Sequence, residues 1–305
     1  MPSSSVRHAV YRTYRQLYWV ARRMLTRITR QGWPAGHHYS PLVDVGYVKR
    51  HSARLFNTQV ELGPSIDLNV AVQDETLAAV AAAYADFDWP EEPVAGRRYY
   101  LNNRLFIYGD AVALYGLLRR FRPRRVIEVG SGFSSALMLD TVDRHPELET
   151  EFTFIEPFSA RLQTLLRDTQ RARYRVVDAL AQDVPLQEFS NLAAGDILFI
   201  DSSHVAKTGS DVNFLVFEVL PILQPGVIVH VHDILWPFEY PQEWVVKLRW
   251  SWNEAYLLRA FLQFNTAFEI LLFNSYVGER RRSFLEQHMP LALKYPGASL
   301  WLRRR

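Results

Sequence analysis

Acids and histidines in this chain gather at the ends of short apolar runs. Glu128 stands two residues before the turn Gly130-Ser-Gly132, Glu156 ends the run Phe152-Thr-Phe-Ile-Glu156, and Asp178 ends Tyr174-Arg-Val-Val-Asp178. Further along, Asp201-Ser-Ser-His204 follows one apolar run, and His230-Val-His-Asp233 ends another. A Gly-x-Gly turn lets the backbone pass close to a ligand, because glycine has no Cβ in the way. Open α/β sheets bind ligands at the carboxyl ends of their strands, where these acids would fall.

The first group has the chemistry of a nucleotide-like cofactor site. Glu156, 24 residues after Gly132, is placed to accept both ribose hydroxyls. Asp178 is placed to accept from an adenine amino group. Glu128 reaches the amino-acid end of such a cofactor through the turn amides or a water. No third glycine opens the following helix, where Ser134 stands. An acid before Gly-x-Gly without that glycine points to S-adenosylmethionine (SAM) rather than NAD. The expected cofactor residues are Glu128, Gly130, Gly132, Ser134, Glu156, Asp178 and Asp201.

The second group lies where a substrate would meet that cofactor. Asp201, His204, His232 and Asp233 are the expected catalytic residues. In one reading Asp201, His232 and Asp233 hold a divalent metal ion, since oxygen and imidazole donors suit Mg, Mn, Fe or Zn. The metal would hold a hydroxyl and lower its pKa. In the other, His204 or His232 is a metal-free general base, because histidine titrates near neutrality. The bland alternative is mutual hydrogen bonding that orders the loops. His230 is expected to support the sheet.

These residues need elements to position them. Apolar runs at 125–130, 152–156, 174–178, 196–201 and 226–232 alternate with helical patterns near 133–144, 158–168, 209–222 and 253–265. That alternation implies a doubly wound, mostly parallel sheet covered on both faces. Phe268–Phe273 and Ser299–Leu302 read as a closing strand pair. Asp67–Tyr84 and Ala111–Arg120 read as helices, the second with Asp110 as its N-cap. The aromatic loop Leu235-Trp-Pro-Phe-Glu-Tyr-Pro-Gln-Glu-Trp244 is expected to wall the acceptor or simply to pack. Lys207 and Asn213 are candidates for the same pocket, with a solvated Lys207 as the default. The domain boundary is expected at 110, with residues 1–110 as a helical extension, linker and cap, and 111–305 as the cofactor-binding domain.

Bulk properties narrow the class. The 305 residues are 49% hydrophobic, ample for a full core, and the net charge of +3 is too small to argue for nucleic acid. No cysteine is present, which removes disulfides and thiolate metal sites. No apolar run reaches membrane-spanning length, and the start lacks the apolar core of a signal peptide. A cytoplasmic protein is the expectation. Residues 6–30 interleave arginines with apolar residues at helical spacing. Such a basic amphipathic helix packs on its own protein, or lies peripherally on an anionic membrane or a protein partner.

Taken in order, Glu128-x-Gly-x-Gly132, Glu156, Asp178 and the strand Asp196-Ile-Leu-Phe-Ile-Asp201 make the chain resemble the class I SAM-dependent methyltransferases over about residues 105–275. Ile200-Asp-Ser-Ser-His204 with Gly226-Val-Ile-Val-His-Val-His-Asp233 resembles a subgroup often described only as methyltransferase-domain proteins. The resemblance implies a seven-stranded Rossmann-like fold, SAM binding and methyl transfer. It also implies that the helix before the first strand covers the cofactor, which makes Tyr108 and Gly109 candidate lid residues. The His/Asp cluster favours oxygen methylation of a small molecule or glycan precursor, and the Asn-Pro-Pro-Tyr motif of amino methylation is absent after the fourth strand. The alternatives are an NAD-dependent oxidoreductase on a similar sheet, or a non-catalytic binding protein docked through its basic helix. The acceptor and the oligomeric state are not legible in the sequence.

Overall fold

The computed structural model describes residues 32–167 and 173–305. The basic segment 6–30 lies outside the described residues. Seven strands form one sheet: β1 (Arg125–Val129), β2 (Glu151–Ile155), β3 (Tyr174–Val177), β4 (Ile197–Ile200), β5 (Ile228–Val231), β6 (Phe268–Phe273) and β7 (Leu300–Arg304). Their spatial order is β3-β2-β1-β4-β5-β7-β6. All pairs are parallel except β5 with β7 and β6 with β7. The expected doubly wound sheet is present, and the expected closing pair is its antiparallel edge.

The reason is legible in side-chain burial. Every residue of β4 and β5 is buried, as is β1 after Arg125. A strand covered on both faces must be apolar throughout rather than alternating. The chain order reverses between β1 and β4, so the carboxyl ends of these neighbours open a crevice for a ligand.

Four helices matter to the site: α1 (Val70–Tyr84), α2 (Tyr108–Phe121), α3 (Phe133–Arg144) and α4 (Glu254–Leu262). α1 and α2 touch closely, since a Cβ on Gly116 would meet Val80 at 2.9 Å. Gln73 ties α1 to the sheet edge by accepting from the Phe273 amide at 3.0 Å. The segment 211–222 is helical but carries a π turn at Leu215–Val219. The helix expected at 158–168 is shorter, Ala160–Leu165.

Asp110 is not the N-cap of α2. The helix begins at Tyr108, with Ile107 in the capping position. The Asp110 carboxylate instead accepts from the Ala298 amide at 2.9 Å and the Ser299 hydroxyl at 2.5 Å, 188 and 189 residues away. It ties the start of α2 to the entry of β7. Gly109 is packed against the Tyr295 and Pro296 backbone, where a Cβ has no room. Tyr108 donates to Asn102, and Lys294 lies over its ring. Neither residue lines the strand-end cleft.

The chain divides into two compact units, one of Thr58–Tyr240 with Trp252–Arg305 and one of the residues up to Asn57 with Pro241–Ser251. Residues 58–110, expected outside the sheet domain, fall within the sheet-bearing unit. In the smaller unit, a helix at Val45–Arg50 is capped by Asp44, which accepts from the Tyr47 amide.

Candidate active site

A cleft of about 370 Å³ opens at the carboxyl ends of β1, β2 and β4, lined by Gly130, Glu156, Phe158, Gln182, Asp201 and Ser202 among others. A larger cleft of about 580 Å³ lies at the opposite ends of β1 to β3, around Arg125, Glu151 and Arg175. None of the expected site residues line that second cleft, whereas Gly130, Glu156 and Asp201 line the first.

The turn after β1 is built on close backbone approach. Gly130 has φ +81°, and a Cβ there would run into the Asp201 carbonyl. The Asp201 amide donates to the Val129 carbonyl at 2.8 Å. Any side chain at 130 would therefore part β1 from β4. The Ser131 amide donates to Glu156 Oε2 at 3.0 Å, and the Phe158 amide to Oε1 at 2.8 Å. Glu156 is thus fixed on the cleft wall with lone pairs to spare for hydroxyls.

Glu128 faces away from the cleft. Its carboxyl is fully buried and receives the Ser134 hydroxyl at 2.5 Å and the Ser135 hydroxyl. Ser135 Oγ also accepts from the Gly132 amide at 3.0 Å. Burial pushes the Glu128 carboxyl up to about 8, against the opposing pull of the two hydroxyls. Glu128 and Ser134 shape the turn from beneath it. Asp178 lies exposed beyond β3, and neither it nor Gly132 lines the cleft.

The second group converges as expected and gains a member. His204 is buried with φ +58°. Its Nε2 lies 3.5 Å from Asp201 Oδ1 and 3.6 Å from Asp233 Oδ2, and its Nδ1 lies 2.9 Å from Glu254 Oε2. Glu254 opens α4 and is 2% exposed. The sequence shows Glu254 only as a first-turn helix acid; nothing local links it to His204. The amides of Asn253 and Glu254 donate to the His204 carbonyl, which fixes the loop to the start of α4. Trp252 lies with its ring 4.4 Å from the His204 ring. Asp211, also missed in the sequence, pins Ser203 by accepting from both its amide and its hydroxyl.

The charges settle in opposite directions. Burial would push His204 down, but Asp201 and Glu254 hold it well above the usual histidine range. Burial also works against His232, yet the charges of Asp201, Asp233 and Asp110 raise it. Burial would raise Asp201, but His232 and His204 hold it below the usual carboxylate range. Burial wins at Asp233 and at Glu254, whose carboxyls are pushed up. His230, by contrast, is driven well below its usual value by burial. Its ring stacks on Phe199 at 3.7 Å and lies 4.5 Å from Trp301, the supporting role expected of it.

His232 Nε2 is 3.8 Å from Asp233 Oδ1. Among the described residues, no group of three or more His, Cys, Asp or Glu side chains is arranged to hold a metal ion. The expected set of Asp201, His232 and Asp233 is brought near, with His204 Nε2 within 3.6 Å of both carboxylates.

The aromatic loop mostly packs inward. Trp236 is buried, donates to the Thr58 carbonyl and meets Phe273 and Tyr276, and Phe238 meets Phe273. Tyr240 turns towards the site, accepting from the Ala255 amide at 3.0 Å with Trp252 6.0 Å away. Lys207 lines the strand-end cleft, and Asn213 donates to the Lys207 carbonyl.

Residues 127–234 match a family profile described as a methyltransferase domain. A protein of Archaeoglobus fulgidus, described only as uncharacterized, is 33% identical over 166 residues, which span 52% of this chain and 73% of that protein. Among solved structures, the chain is similar to an apo form of CmcI, with 15% identity, a TM-score of 0.41 and coverage of 64% of this chain and 70% of that one. It is also similar to TomG of Streptomyces achromogenes, an O-methyltransferase of tomaymycin synthesis solved with SAM, with 16% identity, a TM-score of 0.38 and coverage of 73% and 87%.

Proposed function

The chain belongs to the class I SAM-dependent methyltransferase family, and we propose that it binds SAM in the strand-end cleft and methylates an oxygen of a small molecule or glycan precursor. One observation carries the reading: Asp201 belongs both to the cleft and to the buried His/Asp cluster. A cofactor in the cleft would therefore lie beside groups able to handle a hydroxyl. The cleft suits a polar ligand. Ser202 Oγ and Gln182 Oε1 are buried on its wall without a protein partner, and such groups call for a partner from elsewhere. Glu156 would hold the ribose hydroxyls, and Phe158, 82% exposed at the rim, offers an apolar face to the adenine.

When bound, SAM supplies a sulfonium methyl that passes to the acceptor oxygen, the carbon–sulfur electron pair staying on sulfur while the hydroxyl proton is lost. The chain's residues align that oxygen and take the proton. The carboxylates around His204 and His232 pull both rings towards the protonated form, which makes the carboxylates the better proton acceptors. Asp201 is held ionised and is a weak base. Asp233, whose carboxyl burial pushes up, is the stronger base of the two carboxylates. The positive charge of His204 stabilises the oxygen as its proton leaves.

Titration calorimetry with SAM and NAD, followed by transfer of labelled methyl to a panel of hydroxylated acceptors, tests this. SAM should bind, and NAD should not. Glu156→Ala should weaken SAM by about 10- to 100-fold, the worth of charge-assisted hydrogen bonds. Asp233→Asn should leave SAM affinity intact and cut turnover by about 10²–10⁴. Failure to bind SAM would sink the proposal.

A further inference from the structure

Charge is divided unevenly between the two compact units. Of the chain's 35 Lys and Arg and 32 Asp and Glu, the unit formed by the residues up to Asn57 with Pro241–Ser251 holds twelve and two, which leaves 23 and 30 to the sheet-bearing unit. The smaller unit is strongly basic and the larger one acidic, an asymmetry that the net charge of +3 conceals. An imbalance of this kind marks a surface for an anionic partner.

Seven of the twelve cations are the arginines of segment 6–30, outside the described residues. The other five, Lys49, Arg50, Arg54, Lys247 and Arg249, are all exposed. Among the described residues, Lys247 alone of these five meets a carboxylate, Glu243 at 3.1 Å. Local packing turns the group outward. The helix Val45–Arg50 buries Val48 and touches the helix Gln242–Val246, which buries Val245. Tyr47 stays exposed on the first helix, its ring stacked on His51 and its hydroxyl accepting from Arg54 at 2.9 Å. Past the second helix, the Trp250 amide donates to the Trp244 carbonyl at 3.0 Å, closing a turn that leaves Lys247, Leu248, Arg249 and Trp250 exposed. Leu248 is 48% exposed, and Tyr39, elsewhere in the same unit, is 65% exposed.

We propose that this unit docks on the surface of an anionic lipid bilayer, with Lys49, Arg50, Arg54 and Arg249 against the headgroups and Leu248 and Trp250 settling at the headgroup boundary. Anionic lipid attracts the cations, while Trp, Tyr and Leu gain by leaving water for the edge of the hydrocarbon. A nucleic acid would answer the cations through its phosphates but offers nothing to an exposed leucine. No helix among the described residues is long and apolar enough to cross a bilayer, and the docking is peripheral.

Co-sedimentation of the full chain with vesicles tests this, using phosphatidylcholine alone and phosphatidylcholine with phosphatidylglycerol in equal parts. Wild type should bind the mixed vesicles and not the neutral ones. It should be released as salt rises from about 0.1 M to about 1 M, where the screening length falls from about 10 Å to about 3 Å. Each cation near the lipid surface is worth about five-fold in affinity. Lys49→Glu, Arg50→Glu and Arg54→Glu together should therefore weaken binding by at least about 100-fold. Leu248→Ser should weaken it by about three- to ten-fold and leave the preference for anionic vesicles in place. The altered positions are all exposed, and circular dichroism checks that each variant is folded.

A wild type that stays in the supernatant, equal binding to both kinds of vesicle, or undiminished binding by the folded triple variant would overturn the proposal. Single-stranded RNA and duplex DNA are titrated alongside by fluorescence anisotropy. Nucleic acid bound more tightly than the mixed vesicles, and lost in the same triple variant, would assign the surface to nucleic acid instead.

Discussion

Glu128 shows how a motif residue can serve a site without touching it. Its position before Gly130 was readable, but its direction was not: side chains alternate across a strand, and only the packed α3 reveals that Ser134 and Ser135 receive the carboxyl. The consequence is measurable. Burial holds the folded carboxyl at about 8 against an ordinary 4.5. Between those values the folded state keeps a proton that the unfolded chain has released. This group's contribution is therefore fully present below pH 4.5 and is lost as pH rises through 8, with a slope approaching about 1.4 kcal/mol per pH unit. Urea unfolding of wild type and Glu128→Gln across pH 5 to 8 should show the wild type losing stability faster as pH rises. Equal slopes for the two proteins would show that Glu128 is not the titrating group.

At the scale of elements, the strands were legible because two-sided burial forces unbroken apolar runs such as Ile197–Ile200 and Ile228–Val231. What ties distant elements together was not. Asp110 fits a local capping pattern but bonds the segment entering β7 instead, and no local rule sees across 188 residues. Arg98 and Asp140 make the same point. The Asp140 carboxylate accepts from the Arg98 amide, the Tyr99 amide and the Arg98 guanidinium, each within 2.6–2.9 Å, and both side chains are almost fully buried. The guanidinium also reaches Asp143 at 2.7 Å. This network fastens the segment before α2 to α3. Removing Asp140 leaves the buried Arg98 and Tyr99 amides without their acceptor while the guanidinium keeps Asp143, at a cost of about 1–3 kcal/mol. Asp140→Ala should lose that much in urea unfolding while keeping SAM affinity, since neither residue lines the cleft. A loss well under about 1 kcal/mol would mean that the pair adds nothing to the fastening.

For the whole molecule, the alternation of strands and helices announced the sheet, and the acids at strand ends pointed to the cleft proposed here for the cofactor. The proposed acceptor side was less legible because it is assembled from the ends of β4 and β5 and the start of α4, with Glu254 lying 50 residues beyond His204. Both groups fall within the compact unit of Thr58–Tyr240 and Trp252–Arg305. A ligand seated at the strand ends contacts the turns after β1, β2 and β4 together, so its binding energy should add to the stability of that whole unit. A ligand that binds only the folded state stabilises by about 2.7 kcal/mol at a hundred-fold excess over its Kd. For a unit of this size each kcal/mol moves Tm by about 2–4 °C. SAM at that excess should therefore raise the melting transition of the sheet-bearing unit by roughly 5–10 °C in differential scanning calorimetry, whereas NAD at the same concentration should leave it in place. The shift should shrink in Glu156→Ala at fixed SAM, because weaker binding lowers the ratio of ligand to Kd, and it should persist in Asp233→Asn, whose change lies on the acceptor side. Equal shifts with SAM and NAD would place the cleft with the dinucleotide-binding sheets instead.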